Sequence, residues 1–163
     1  MATDIGEHIV GAYLKLIKHC DIIDYNARTP GGGLVGLNEL DVIGLDFKSK
    51  TAYLCEVTTH LNGMFYGTGP KSTIERIQKK YAHQRAYAAS FLDDFPLRHY
   101  MFWSPYVPDG SITNGLRSID GLEVVINKEY TDCVRQLQAL AKKTTHDTNN
   151  PFFRVLQILE HLR

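Results

Sequence analysis

An α/β fold with a mixed central sheet flanked by helices is predicted by three features of the chain. Apolar residues recur at helical spacing over residues 4–19 and 71–92. Short apolar runs of strand length lie between and after these segments, and glycine, proline or clustered polar residues punctuate them. Read along the chain, the order is helix, strand, strand, strand, helix, strand, with a further strand and helices toward the end. A length of 163 residues suits a single domain with room for a core, and 44% hydrophobic with 22% charged residues is the composition of a soluble globular protein.

Residues 4–19 read as an amphipathic helix with Ile5, Ile9, Ala12, Tyr13, Leu16 and Ile17 at helical spacing. Asp4 can cap it, and Glu7, three residues on, completes a capping box. Glu7 also has a second reading, as a carboxylate leaning over a metal site. Residues 20–27 form a short strand. The glycine-dense TPGGGLVG that follows Arg28 is either a mobile loop bordering a site or a linker. Two strands then span residues 39–45 and 51–58, joined by a polar turn around 46–50. The GTGPKST that follows imitates a phosphate loop, but Pro70 separates Gly69 from Lys71 and the glycine spacing fails.

Residues 71–92 are the longest helix, capped by Ser72 or Thr73. Ile74, Ile77, Tyr81, Ala88 and Leu92 fall on one face, and Arg76, Lys79, Lys80 and His83 on the opposite one. Residues 99–107 form an aromatic strand whose Tyr100, Phe102 and Trp103 read as core. PDGSITNG is turn, and residues 122–126 are a last strand at the sheet edge. A helix over 130–142 precedes a final one opened by Pro151. This last helix is apolar on more than one side and should dock on the body or on a second copy, which makes a homodimer an expectation.

The two central strands carry acid where an ordinary core strand would not. Glu39 and Asp41 are two apart and leave one face, with Leu40 and Val42 on the other; on the next strand Glu56 and Thr58 share a face. If the strands pair as a hairpin, Asp41 and Glu56 converge at one end. Neighbouring carboxylates repel and raise each other's pKa, and a hard divalent cation offsets that cost. The acids are thus either ligands for Mg²⁺ or Mn²⁺ or solvated groups on an exposed sheet face. The seven histidines show no i, i+4 pairing, and three cysteines without C-x-x-C spacing argue for reduced thiols in a cytoplasm and against a zinc site. The first residues, MATDIGEH, carry no export signal, and no apolar run is long enough to span a membrane.

Net charge is zero, with 18 basic and 18 acidic residues, so the global balance gives no support to nucleic-acid binding. Locally, five cations against Glu75 crowd residues 71–85. Such a face is either a footprint for phosphates or a solvated charged surface.

Together these motifs resemble the PD-(D/E)XK nuclease superfamily, with its restriction-endonuclease-like αβββαβ core, and most closely its small Holliday-junction-resolvase-like branch. Gly6, Glu7, Tyr13 and Leu14 match the branch's first helix, and Asn26, Ala27 and Arg28 its N-x-R strand end. Asn38 to Ile43 match its G-E-[IL]-D-[LIV]-I run, and Leu54 to Thr58 its F-V-E-V-K strand. The resemblance spans residues 4 to 107. It implies that Asp41, Glu56 and the Val57 carbonyl hold Mg²⁺ or Mn²⁺, with Glu7 contributing and Glu39 standing behind the ligands or sharing in ligation. It further implies a nuclease acting on DNA; beside such a carboxylate cluster, the helical face of Arg76, Lys79, Lys80 and His83 reads as the footprint for phosphates. The family's motif lysine is Thr58 here, and threonine supplies no cation. Either a lysine has moved to the adjoining helix, with Lys71 or Lys79 as candidates, or the chain has kept the fold for binding DNA or a protein and lost cleavage.

Overall fold

The computed structural model describes residues 2–29, 39–63 and 66–163. The glycine-dense loop after Thr29 and Asn38 of the central motif lie outside these residues. The elements are α1 (Ile5–Leu16), β1 (Ile22–Arg28), β2 (Glu39–Asp46), β3 (Thr51–Val57), α2 (Pro70–Phe91), β4 (Leu97–Ser104), α3 (Ser111–Arg117), β5 (Leu122–Ile126), α4 (Asn127–Lys143) and α5 (Pro151–Glu160).

The five strands lie side by side in chain order. Strands β1, β2 and β3 pair antiparallel, with a four-residue turn over 47–50 joining β2 to β3, whereas the helical crossovers make β3, β4 and β5 parallel. The result is the expected α/β class: an open mixed sheet with helices on both faces, and β5 at an edge as its sequence position suggested. Val42, Cys55 and Trp103 turn toward α1, α4 and α5, where Val10, Leu14, Leu137 and Phe153 bury against them. Leu54 and Phe102, one residue away on their strands, turn toward α2 and α3 with Ile77, Ala88 and Leu116. Such continuous apolar runs belong to strands covered on both sides.

Local chemistry sets the boundaries. Asp4 and Glu7 form the capping box, with Asp4 Oδ1 accepting from Gly6 N at 2.8 Å and Glu7 Oε2 from Asp4 N at 2.9 Å. Helix α2 starts at Pro70 with Gly69 as the cap, not at Ser72 or Thr73. Those two hydroxyls instead donate back to the Gly69 and Tyr66 carbonyls. Helix α4 begins at Asn127, earlier than the expected 130, because the Asn127 side chain holds both N–H and C=O of Val107 at 2.8 and 3.0 Å. Helix α5 docks through buried Phe153 and Gln157 and leaves Val155, Ile158 and Leu159 about half exposed. Cys20, Cys55 and Cys133 are free thiols. Among the described residues no helix is long and apolar enough to cross a membrane.

One expected turn is a helix. Residues 111–117 form α3, which buries Ile112 and Leu116 at i, i+4 against α2 and β5. A seven-residue helix containing Thr, Asn and Gly carries too little periodicity to stand out from turn composition. Gly115 permits the contact: a Cβ there would stand 2.9 Å from Ile74 Cδ1. Gly115→Val should therefore push α3 off α2 and cost about 1–3 kcal/mol, read as a lower urea midpoint with an unchanged sheet signature in circular dichroism.

Candidate active site

The site begins where the sheet forks. The β2–β3 ladder runs from Asp46↔Thr51 to Val42↔Cys55 and stops. In place of the next rung, Asp41 Oδ2 accepts the Val57 N–H at 2.7 Å. On the other side of β2 the pairing skips the position opposite Asp41, where Asn26 adopts φ 55°. Strand β3 meanwhile stays paired to β4 through Val57↔Trp103, and the Thr58 N–H donates to the Trp103 carbonyl at 2.9 Å. One side of the fork is thus fixed while the other opens, and Asp41 fills the gap beside Glu56.

This fork overturns one expectation. Leu40 and Val42 do not share a face: Leu40 buries with Ile43 and Leu54, Val42 with Val10 and Leu14. The left-handed backbone at Asn26 and the missing rung at Asp41 interrupt the strict two-residue alternation that strand pairing otherwise enforces.

Glu56 is 7% exposed; its Oε1 lies 3.1 Å from Lys80 Nζ, and its buried Oε2 receives no N–H donor, the Glu56 and Asp41 carboxyls instead facing each other closely enough to share a proton. Glu39 is 5% exposed, with one oxygen 3.5 Å from Arg28 and the other without a partner. Burial, followed by the charge of Asp41, pushes the Glu56 carboxyl up to about 8 against the pull of Lys80. Burial also raises Asp41, opposed by the Val57 N–H and Lys80 and assisted by Glu39. The two acids titrate as a pair. Glu7 is a helix cap that also lies within reach of the Asp41 charge. It caps α1 and accepts from Asn26 Nδ2 at 3.2 Å, while its carboxyl is raised first by burial and then by the charge of Asp41.

No cation reaches the cluster from Thr58, which is buried at 7% exposure. It comes from α2, and from neither lysine expected there. Lys71 borders a separate groove with Ile74, Gln78 and Ser111, and Lys79 is exposed. Lys80, expected among the outward phosphate contacts, instead turns inward, with its side chain 12% exposed. His83 is half-buried, with its Nε2 buried and without a partner. Thr73, Ile77, Lys80, Gln84 and Ala88 form an inward stripe at steps of three and four, the spacing that would have placed Lys80 correctly. Gln84 Nε2 donates to the Met101 carbonyl at 3.3 Å and anchors this stripe to β4.

Outside the cluster, Tyr66, Gly67, Ser72, Glu75, Arg76, Lys79 and Lys80 line a groove of about 340 Å³. The Arg76 guanidinium lies over the Tyr66 ring, 4.6 Å from its centroid, a cation–π contact at the groove wall. Lys80 belongs to both the groove and the carboxylate cluster.

A hard divalent ion fits this donor set. Asp41 and Glu56 offer oxygens only, Glu56 has a buried oxygen that receives no N–H donor, and Mg²⁺ uses one or two carboxylates while keeping waters. Among the described residues no group of three or more His, Cys, Asp or Glu side chains is placed to hold a metal ion. Comparison with family models, curated proteins and solved structures returns no match.

The raised Glu56 pKa fixes the sign of a pH effect in chelator-treated protein. The neutral carboxyl favours the fold, so this stabilisation is complete below the ordinary value of 4.5 and is lost as pH rises through about 8. Urea unfolding in EDTA should show stability falling between pH 5 and 8.5 by on the order of a few kcal/mol, and Glu56→Gln should flatten that decline.

Proposed function

We propose that this protein is a Mg²⁺- or Mn²⁺-dependent nuclease of the PD-(D/E)XK kind that hydrolyses phosphodiester bonds in DNA. The observation that carries this reading is the meeting of Asp41 and Glu56 at the sheet fork, with Lys80 Nζ 3.1 Å from Glu56. Structural ion pairs also perturb pKa values, but a buried carboxylate oxygen without an N–H donor beside a cationic groove favours a site. The order of helices and strands around a mixed sheet supports a restriction-endonuclease-like core.

In this reading Asp41, Glu56 and the Val57 carbonyl hold the ion, and Glu7 steadies Asp41 from α1. The ion, when bound, polarises the scissile phosphate and lowers the pKa of an attacking water. The chain does the rest. Asp41 is held in place by the Val57 N–H. Lys80 supplies the positive charge that Thr58 cannot, entering from the helix rather than the strand. Arg76 and Lys79 sit along the same groove and hold flanking phosphates, with the Tyr66 ring against the Arg76 guanidinium.

A second reading, a nuclease-fold protein that binds DNA or a protein partner without cleaving, draws on Thr58 and on the zero net charge. Plasmid nicking separates the two. Cleavage should require Mg²⁺ or Mn²⁺, stop with EDTA, and fall at least about 100-fold in Asp41→Ala and Glu56→Ala. Metal-independent cutting, or cutting unaltered by Asp41→Ala, removes the nuclease reading; DNA binding with no cleavage selects the second.

The groove makes a separate claim on affinity. Arg76→Ala combined with Lys79→Ala should weaken DNA binding and reduce the slope of log affinity against log salt by about 2. An unchanged slope in a fluorescence-anisotropy titration would show that these residues contact no phosphate.

A further inference from the structure

We infer that Lys80 is a tethered cation that occupies the divalent ion's electrostatic place in the metal-free protein, and that ion binding releases its Nζ into the groove to meet the substrate phosphate. The inference rests on the metal-site reading above and adds a switch to it.

Three observations carry it. First, the Lys80–Glu56 pair is withdrawn from solvent on both sides, with side-chain exposures of 12% and 10% at a separation of 3.1 Å. The two buried acids share at least one negative charge, and among the described residues Lys80 is the cation in contact with Glu56. Second, the compensation is incomplete. Lys80 engages Oε1 only, and Oε2 of Glu56 receives no donor from the protein beyond a proton shared between the Glu56 and Asp41 carboxyls, which a stronger cation would displace. Third, Lys80 stands in the wall shared by the cluster and the groove of Tyr66, Arg76 and Lys79. Its flexible four-carbon stem lets Nζ swing from one to the other without displacing α2, whose position is set by Ile77, Gln84 and Ala88.

A divalent ion on Asp41 and Glu56 would repel Nζ at this separation and satisfy the acids better than one ammonium can. The freed ammonium then faces the groove lined by Tyr66, Arg76 and Lys79. Metal entry and phosphate binding would thereby be linked: the lysine becomes available to substrate only after the ion has arrived. The same competition holds down metal affinity in the absence of DNA.

The test uses the full chain without DNA. Mn²⁺ titrated calorimetrically into wild type and Lys80→Met should bind the variant roughly tenfold more tightly, with Lys80→Arg close to wild type. Because loss of the lysine can disturb folding, a second measurement uses the unaltered protein. The ¹⁵Nζ resonance of Lys80, assigned by its disappearance in Lys80→Arg, should shift and gain fast hydrogen exchange as Mg²⁺ saturates. Equal or weaker Mn²⁺ binding by a folded Lys80→Met, or a Lys80 resonance unmoved at Mg²⁺ saturation, overturns the switch and leaves the nuclease reading standing. Absence of Mn²⁺ binding in both proteins overturns the switch and the metal site together, whereas loss of cleavage with tighter Mn²⁺ binding in Lys80→Met supports both.

Discussion

Withdrawing Asp41 and Glu56 from water side by side carries a free-energy cost that the surrounding chain must offset, and much of the local structure follows from how it does so. Asp41 accepts a main-chain N–H from Val57, and Glu56 receives a lysine from α2. Glu39, equally buried, receives Arg28 from β1. Each donor comes from a different element, so the cluster ties the antiparallel hairpin to its neighbouring strand and to the crossover helix. Had burial alone been at stake, apolar side chains of similar volume would pack there at no electrostatic cost.

The backbone does as much as the side chains. A ladder that closed fully at Asp41 and Glu56 would leave no room for a carboxylate to reach Val57. Asparagine tolerates the left-handed conformation that β1 adopts at position 26, and its side-chain amide donates to Glu7 from there. The departure from ideal pairing thus delivers two acids and an amide to one end of the sheet. Glu7 shows how a residue can serve twice, since its carboxylate caps a helix while adding negative potential to the cluster.

The sequence displayed part of this directly. Strands β2 and β3 were legible because acids embedded in apolar runs conflict with simple alternation, and the capping box of α1 because its spacing has few other meanings. Edge strand β5 followed from its brevity and late position. What escaped were features decided by packing. Lys80 looked outward because α2 is polar overall, and two of its inward positions are the polar Thr73 and Gln84. Leu40 and Val42 were assigned one face because alternation says nothing of a missing rung. Helix α3 hides behind turn-like composition, and Lys71, a candidate for the missing cation on the adjoining helix, lines a separate groove.

The parallel pairing of β3 with β4 bears on how the molecule comes into being. Glu56 sits opposite Phe102, and the two are brought together only after the whole of α2 has been laid across the sheet. The hairpin of β2 and β3 can form early and locally, but its acidic end then projects into water with neither Lys80 nor β4 beside it. Only closure of the long crossover completes the cluster, and contacts of that sequence separation come late in folding. A nascent chain that has not yet completed β4 therefore carries every acid of the site before the strand and crossover helix that enclose Glu56 are in place.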